Sequence, residues 1–393
     1  VTVNDTQQER RAPTVFVIAA EESGDRLGAG LIAALRARLG PAARFVGIGG
    51  HRMAGEGLAS LFPTEELAII GLAAIPRRLP MILRRIREAA DAVIAAKPDV
   101  LVIIDSPDFT HRVARRVRAR DPSIPIVDYV SPTVWVWRSG RARKMRAYVD
   151  RLLAVLPFEP EVHRALGGPP CVYVGHPLLD DIGALRPDEA ERARRIAAPP
   201  VLLVLPGSRG SEISRNMAVF GDTLRLLRDS GVAFEPVLPT VPALEARVRA
   251  AAALWPVQPR IVTDDAGKRA AFRVARAALA KSGTVTLELA LAGVPMATAY
   301  QVTPVEGFIA RRVIRTSSII LTNIILGENV VPEFVQREFT AANLAPALRD
   351  VLNDTPARRR QIAAFERLDA IMSTGGQPPS ALAADEVIAM LRR

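Results

Sequence analysis

The chain has 393 residues, 49% of them apolar but only 5% aromatic, and a formal net charge of +11. That supports two cores filled by Ala, Val, Leu and Ile. A lone Cys171 excludes an internal disulfide and a cysteine-rich zinc site, and His51, His111, His163 and His176 fall at no metal-ligand spacing.

The positive charge suits nucleic acid, an anionic membrane, a phosphorylated substrate, or simply an arginine-rich composition. No basic stretch is interleaved with exposed-looking aromatics, which argues against nucleic acid. Residues 1–13 are polar and charged without an apolar core segment, and read as a disordered tail rather than a secretory signal. No apolar run reaches about 18 residues without a charge, so no spanning helix is expected.

VFVIAA (Val15–Ala20) reads as a first strand, followed by a loop opening a helix, EESGDRLGAG. RFVGIGG (Arg44–Gly50) is a second strand. Leu67–Val93 is apolar, broken by Pro76 and Pro80, and carries Arg77, Arg78, Arg84, Arg85 and Arg87. It fits either an interfacial membrane segment or a core helix with a solvated face. Further strands are expected at Asp99–Asp105, Pro125–Pro132, Arg151–Phe158 and Cys171–Pro177. A charged, proline-bounded stretch at Leu178–Pro200 marks a domain boundary. The pattern then resumes at Val201–Leu205, Phe234–Thr240, Arg260–Thr263, Ala277–Gly283 and Val294–Tyr300, and turns helical from about Thr340. Short apolar runs separated by helix-length segments imply parallel sheets covered on both faces.

The fold class expected is therefore α/β, with two Rossmann-like doubly wound domains facing a cleft. The expected division is a tail over 1–13, a first domain over 14–180, a second over 200–340 and C-terminal helices over 341–393. Ligands of such sheets bind outside the carboxyl ends of the strands, so the loops there carry the chemistry.

In VLLVLPGSRGSEI, a buried-looking strand runs into Gly207, Ser208 and Arg209 before a helix. Exposed N–H groups, a helix dipole and a guanidinium suit a phosphate. Ser282, Gly283 and Thr284 form a second such turn, and Glu288 follows one turn into the helix. Glu288 fits a ribose acceptor, or a charge favoured by the helix N-terminus. In IIDSPDF, Asp105 suits a general base and Asp108 a helix cap. Glu21, Glu22 and Asp25 would repel a pyrophosphate, so their loop fits sugar hydroxyls, with helix capping as the other reading for Ser23 and Asp25. In Tyr129–Lys144, Trp135 and Trp137 alternate beside four basic residues, one placed for the core and one for solvent.

Taken together, AEESGDRLGAG, VGIGGHRM, LAIIGL, KPDVLVIIDSPDF, YVSPTVWVWR, LPFE, VGHPL, LPGSRGSEI, SGTVTLE and PEFVQ resemble the lipid-A-disaccharide synthases over about Val15–Gln336. These are glycosyltransferases of the two-domain GT-B architecture. The resemblance implies an inverting transfer from UDP-2,3-diacylglucosamine to 2,3-diacylglucosamine 1-phosphate, giving a β-1′,6-linked disaccharide phosphate and UDP. It places Asp105, Glu21, Arg209 and Asn323 at the family's catalytic positions, Asp105 as base and Arg209 against the pyrophosphate. Gly207, Ser208, Ser282, Gly283, Thr284 and Glu288 would hold UDP. Ser131, Trp135 and Arg138 of YVSPTVWVWR, His176 of VGHPL, and Glu333 and Gln336 of PEFVQ join them as substrate-binding residues. No metal or cofactor is implied. The chain departs from the family pattern at Ala20, Lys281, Val285 and Thr322.

The implied partners are the two acylated sugars and the inner-membrane surface, met through Leu67–Val93 on its cytoplasmic side, with a homodimer left open. Two other readings stay in view: a different sugar-nucleotide enzyme such as a UDP-sugar epimerase, and a non-catalytic membrane-peripheral module on the same fold.

Overall fold

The computed structural model describes residues 12–67, 75–301 and 318–391. Residues 1–11 of the tail, the stretch 68–74 and the side chains of Arg77 and Arg78 lie outside the described residues. The chain divides into two compact units, one joining the residues up to Asp180 with those from Thr374 onward, the other running Asp181–Ser373.

In the first unit the strands are β1 (Thr14–Ala19), β2 (Arg44–Ile48), β3 (Ala59–Ser60), β4 (Val100–Ile104), β5 (Ile126–Tyr129), β6 (Arg151–Ala154) and β7 (Cys171–Tyr173). They form one sheet in the order β3-β2-β1-β4-β5-β6-β7, and every pair is parallel. In the second unit they are β8 (Val201–Leu205), β9 (Glu235–Pro239), β10 (Arg260–Val262), β11 (Ala275–Lys281), β12 (Met296–Tyr300) and β13 (Glu333–Val335). Their order, β10-β9-β8-β11-β12-β13, is again parallel throughout.

The local cause is plain in the sequence. VLVII of β4 and VLLVL of β8 are buried at every position. Runs without alternation suit strands covered by helices on both faces. Each fully buried Val, Leu or Ile contributes about 1.5–3 kcal/mol relative to exposure. Each unit keeps its own core: Phe16, Ile18, Ile103 and Val113 lie in the first, and Leu202, Phe220, Leu279 and Leu348 in the second.

The expected strands all form; most are trimmed at their ends by one to four residues, β8 keeps its expected range, and β1 and β11 begin one and two residues earlier. Two edge strands, β3 and β13, went unread because they are two and three residues long. The C-terminal helices, set apart as 341–393 from the sequence, are divided between the units. Ala341–Leu352 and Pro356–Met372 stay with the second, whereas Pro379–Leu391 belongs to the first and packs on the helix Glu22–Leu39. Its Ala383, Ala384 and Val387 are fully buried, and Asp385 accepts from Arg38 at 2.6 and 3.3 Å.

Part of the arginine excess is structural. Arg195 donates to the carbonyls of Phe272, Arg273, Ala292 and Gly293 at 3.1–3.2 Å, tying the ends of two helices together. Burial lowers its pKa to about 10, and Arg186 adds to the effect. The carboxyl end of a helix carries unpaired carbonyls and negative potential, which a guanidinium satisfies. Among the described residues, no helix is long and apolar enough to cross a membrane.

Candidate active site

Each sheet reverses its winding once, between β1 and β4 in the first unit and between β8 and β11 in the second. At such a switch the following loops diverge and leave a crevice. The glycine turn after β8 and the Ser282–Thr284 turn after β11 flank the second unit's switch. They open on a cavity of about 550 Å³. Its lining includes Gly207, Ser208, Arg209, Gly283, Thr284 and Glu288, six residues singled out from sequence.

The glycine turn is shaped for close backbone approach. Gly207 has φ 129, and a Cβ there would lie 2.4 Å from a Glu212 carboxylate oxygen. Only glycine fits both conditions. The helix Gly210–Asp229 starts directly after it, so N–H groups and dipole point into the cavity. The Arg209 side chain is 81% exposed and makes a long ion pair with Glu212 at 3.9 Å.

Charged side chains add to the lining, among them Glu212, Asp264, Lys268 and Lys281. Lys268 donates to both oxygens of Glu288, at 2.9 and 3.1 Å. Lys281 lies 3.0 Å from Glu212, which also accepts from the N–H groups of Ser208 and Arg209 at 3.0 and 3.3 Å. Asp264 caps the helix Asp265–Val274 through Gly267 N–H. Burial pushes the Glu212 carboxyl up, but Lys281 and the two N–H groups outweigh it and hold the group below its usual range.

Other expected site residues of the second unit are not in this lining, and Glu333 lines a separate cavity of about 360 Å³. Ser282 is buried, its N–H given to Ala299 O and its hydroxyl to Ile319 O at 3.4 Å. Asn323, expected at a catalytic position, is 2% exposed and saturated. Its NH₂ donates to Val331 O and Glu333 at 2.9 Å, and its oxygen accepts from Val330 and Val331 N–H. No donor or acceptor is left for a ligand, so its geometry is that of a residue that positions Glu333. Glu333 also accepts from Ser318 and from Ile319 N–H. Gln336 follows β13 in a left-handed conformation, φ 56.

In the first unit the loops of β1 and β4 meet at the switch. Ser23 donates to Asp105 at 3.4 Å, and Glu21 is exposed at the start of the helix Glu22–Leu39. Asp105 and Ser106 are both left-handed, φ 51 and 46. Two such residues in succession are strained unless held, and strain of this kind gathers at functional sites. What holds them is Thr110, whose hydroxyl donates to Asp105 O at 2.7 Å, and Ser106 N–H, which donates to the Asp105 carboxylate at 2.7 Å. Asp25 does not cap its own helix but the start of the helix His51–Gly55, accepting from Gly50, Arg52 and Met53 N–H.

Ser131, Trp135, Arg138 and His176 follow β5 and β7. Ser131 is buried against His163 Nε2 at 2.8 Å, and Trp135 donates to Glu159 at 3.2 Å. Trp135 is half-buried and Trp137 exposed, with Arg138 stacked on the latter at 4.1 Å. Burial raises Glu159 to about 7 despite its bonds to Leu156 N–H and Trp135, and lowers His163 to about 4. His176 is buried, with Nδ1 accepting from Leu178 N–H. That leaves its proton on Nε2. Burial and Arg26 lower it to about 4.

The chain matches the family described as lipid-A-disaccharide synthetase over residues 15–377. It is 66% identical over 382 residues to the lipid-A-disaccharide synthase of Rhodopseudomonas palustris, covering 97% of each chain. It is 67% identical over 374 residues to that of Nitrobacter hamburgensis, covering 95% and 94%. Among solved structures, the UDP-GlcNAc 2-epimerase of Neisseria meningitidis bound to UDP-GlcNAc matches with TM-score 0.57 and 11% identity, covering 96% of this chain and 98% of that one. The glycotransferase of kitacinnamycin matches with TM-score 0.59 and 17% identity over 97% and 100%. These two show the shared fold of paired parallel-sheet units. With a family match across most of its length and relatives two-thirds identical, the chain belongs to the lipid-A-disaccharide synthase family of glycosyltransferases.

Proposed function

We propose that the enzyme joins UDP-2,3-diacylglucosamine to 2,3-diacylglucosamine 1-phosphate, releasing UDP and inverting the anomeric carbon. The observation that carries this reading is the second unit's cavity, where a glycine–serine–arginine turn and a Ser–Gly–Thr turn flank the switch point. In a direct displacement, the acceptor hydroxyl oxygen bonds to the anomeric carbon as the bond to the UDP oxygen breaks. Asp105 takes the hydroxyl proton, and the electron pair leaves on the diphosphate. Backbone N–H groups of the glycine turn and the exposed Arg209 stabilise that charge as it develops. Glu288 accepts from the ribose hydroxyls. Glu21 and the Trp135–Arg138 loop receive the sugars, and Asn323 acts by holding Glu333.

We assign the membrane contact to the region 67–93. Within it Arg85 is already committed, bonded to Glu66 and Glu88 and stacked on Phe62 at 4.5 Å. Charge reversal at Arg77, Arg78 and Arg84 should therefore release the protein from anionic vesicles, and undiminished vesicle binding rejects this contact.

The deciding assay is UDP release from the diacylated donor, with and without the diacylated acceptor, in detergent. Release that depends on the acceptor supports transfer. Turnover of UDP-GlcNAc without an acceptor supports the epimerase chemistry of the structural neighbours instead.

A further inference from the structure

Glu212 is the third residue of the helix that follows the glycine turn, and its carboxylate lies back over that turn. One oxygen accepts from Ser208 and Arg209 N–H at 3.0 and 3.3 Å, and the other lies 3.0 Å from Lys281 Nζ. Its side chain is only 13% exposed, and the 81% exposed Arg209 guanidinium reaches its second oxygen at 3.9 Å. The turn's anion-binding N–H groups are therefore already filled by an anion of the chain itself. Lys281, at the end of β11, is held by the same carboxylate and by the face of Tyr300 at 5.2 Å.

We propose that Glu212 is a tethered stand-in for the nucleoside diphosphate: the ligand displaces its carboxylate from the Ser208 and Arg209 N–H groups, and Lys281 passes from Glu212 to a phosphate oxygen. The inference rests on the proposed donor site and adds an exchange of partners to it. The chemistry favours exchange over coexistence. A diphosphate offers the same N–H groups an acceptor of greater charge. Two anions sharing those donors would repel at hydrogen-bond separation. Filling the site in the free protein also spares the turn from presenting unsatisfied N–H groups beside two lysines and an arginine. The consequence is a self-competing site: apparent affinity is reduced by the fraction of molecules in which Glu212 is seated.

The test is calorimetric titration of the full chain with UDP and with uridine, for wild type, Glu212→Ala, Glu212→Gln and Lys281→Ala. Both Glu212 variants should bind UDP more tightly, on the order of tenfold for alanine. Lys281→Ala should bind UDP more weakly by a similar factor. Uridine, lacking phosphates, should bind all four proteins alike. Glu212 variants that melt like wild type yet bind UDP no better overturn the proposal and make Glu212 a scaffold of the turn. Should alanine prevent folding, the isosteric glutamine variant decides. Failure of wild type to bind UDP at all overturns the donor-site reading, and this inference falls with it.

Discussion

Lys268 grips both carboxylate oxygens of Glu288, at 2.9 and 3.1 Å, within the second unit's cavity. The pair is half-buried and fixes the carboxylate that the ribose hydroxyls would meet. Lys268→Met should raise the donor KM by roughly tenfold, a loss of about 1.4 kcal/mol, with little change in kcat. Lys268→Arg should restore part of it. Steady-state kinetics at varied donor concentration read both.

Asp105→Asn keeps the shape of the strained turn but removes the base. Turnover should fall by about 10²–10⁴. UDP affinity should stay within about twofold, because Asp105 is not in the lining of the cavity proposed for the nucleotide. Single-turnover rates and UDP titration separate the two effects. Full turnover in this variant removes Asp105 as the base.

Arg209 gives the opposite signature. Its side chain is 81% exposed. Arg209→Ala should therefore shift stability by less than about 0.5 kcal/mol. It should still weaken UDP binding at least tenfold, a charge-assisted bond of about 1.5–3 kcal/mol. Denaturant melts beside calorimetry check it.

Much of this was legible in the sequence, and the physics says which parts. Strands such as VLVII and VLLVL announce themselves because parallel strands buried on both faces need unbroken apolar runs. The loops following them could then be placed at the ligand-binding end of each sheet. The division of the C-terminal helices was not legible, because Pro379–Leu391 and Glu22–Leu39 are complementary surfaces hundreds of residues apart. The destinations of the arginines were equally hidden: Arg195 serves four carbonyls that no local pattern joins. Lys268 sits in an ordinary amphipathic helix and gains meaning only through Glu288. Asn323 was found by motif, but its saturation by Val330, Val331 and Glu333 is a tertiary fact.

That saturation makes Asn323 a stability determinant. Asn323→Ala leaves Val330 and Val331 N–H and Val331 O without their side-chain partner in a buried site. Unsatisfied buried groups cost about 1–3 kcal/mol each before relaxation, so a loss of about 2–4 kcal/mol is expected. Activity should fall at least as far as the folded fraction measured by denaturant unfolding, since Glu333 also loses the bond from Asn323. A variant as stable as wild type but inactive would instead point to direct contact with substrate.

Glu159 gives a pH test. Its folded value of about 7 lies above the ordinary 4.5. The folded protein therefore holds more protons than the unfolded chain between those values. Stability from this group is present below about pH 4.5 and is lost as pH rises toward 7. His163, lowered to about 4 from 6.5 by burial, acts in the opposite sense over pH 4 to 6.5. Glu159→Gln removes the first contribution alone. Its stability relative to wild type should climb as pH rises from 5 to 7, as measured by melting at several pH values.

The return of Pro379–Leu391 to the first unit sets an order for the growing polypeptide. Asp181–Ser373 is an unbroken stretch and can complete itself as soon as it has emerged. The earlier-made unit cannot, since Leu391 is added hundreds of peptide bonds after Glu22 and Arg38 waits throughout for Asp385. Synthesis halted just short of that helix would leave the Asp181–Ser373 unit with its whole stretch of chain beside a first unit still missing a buried helix.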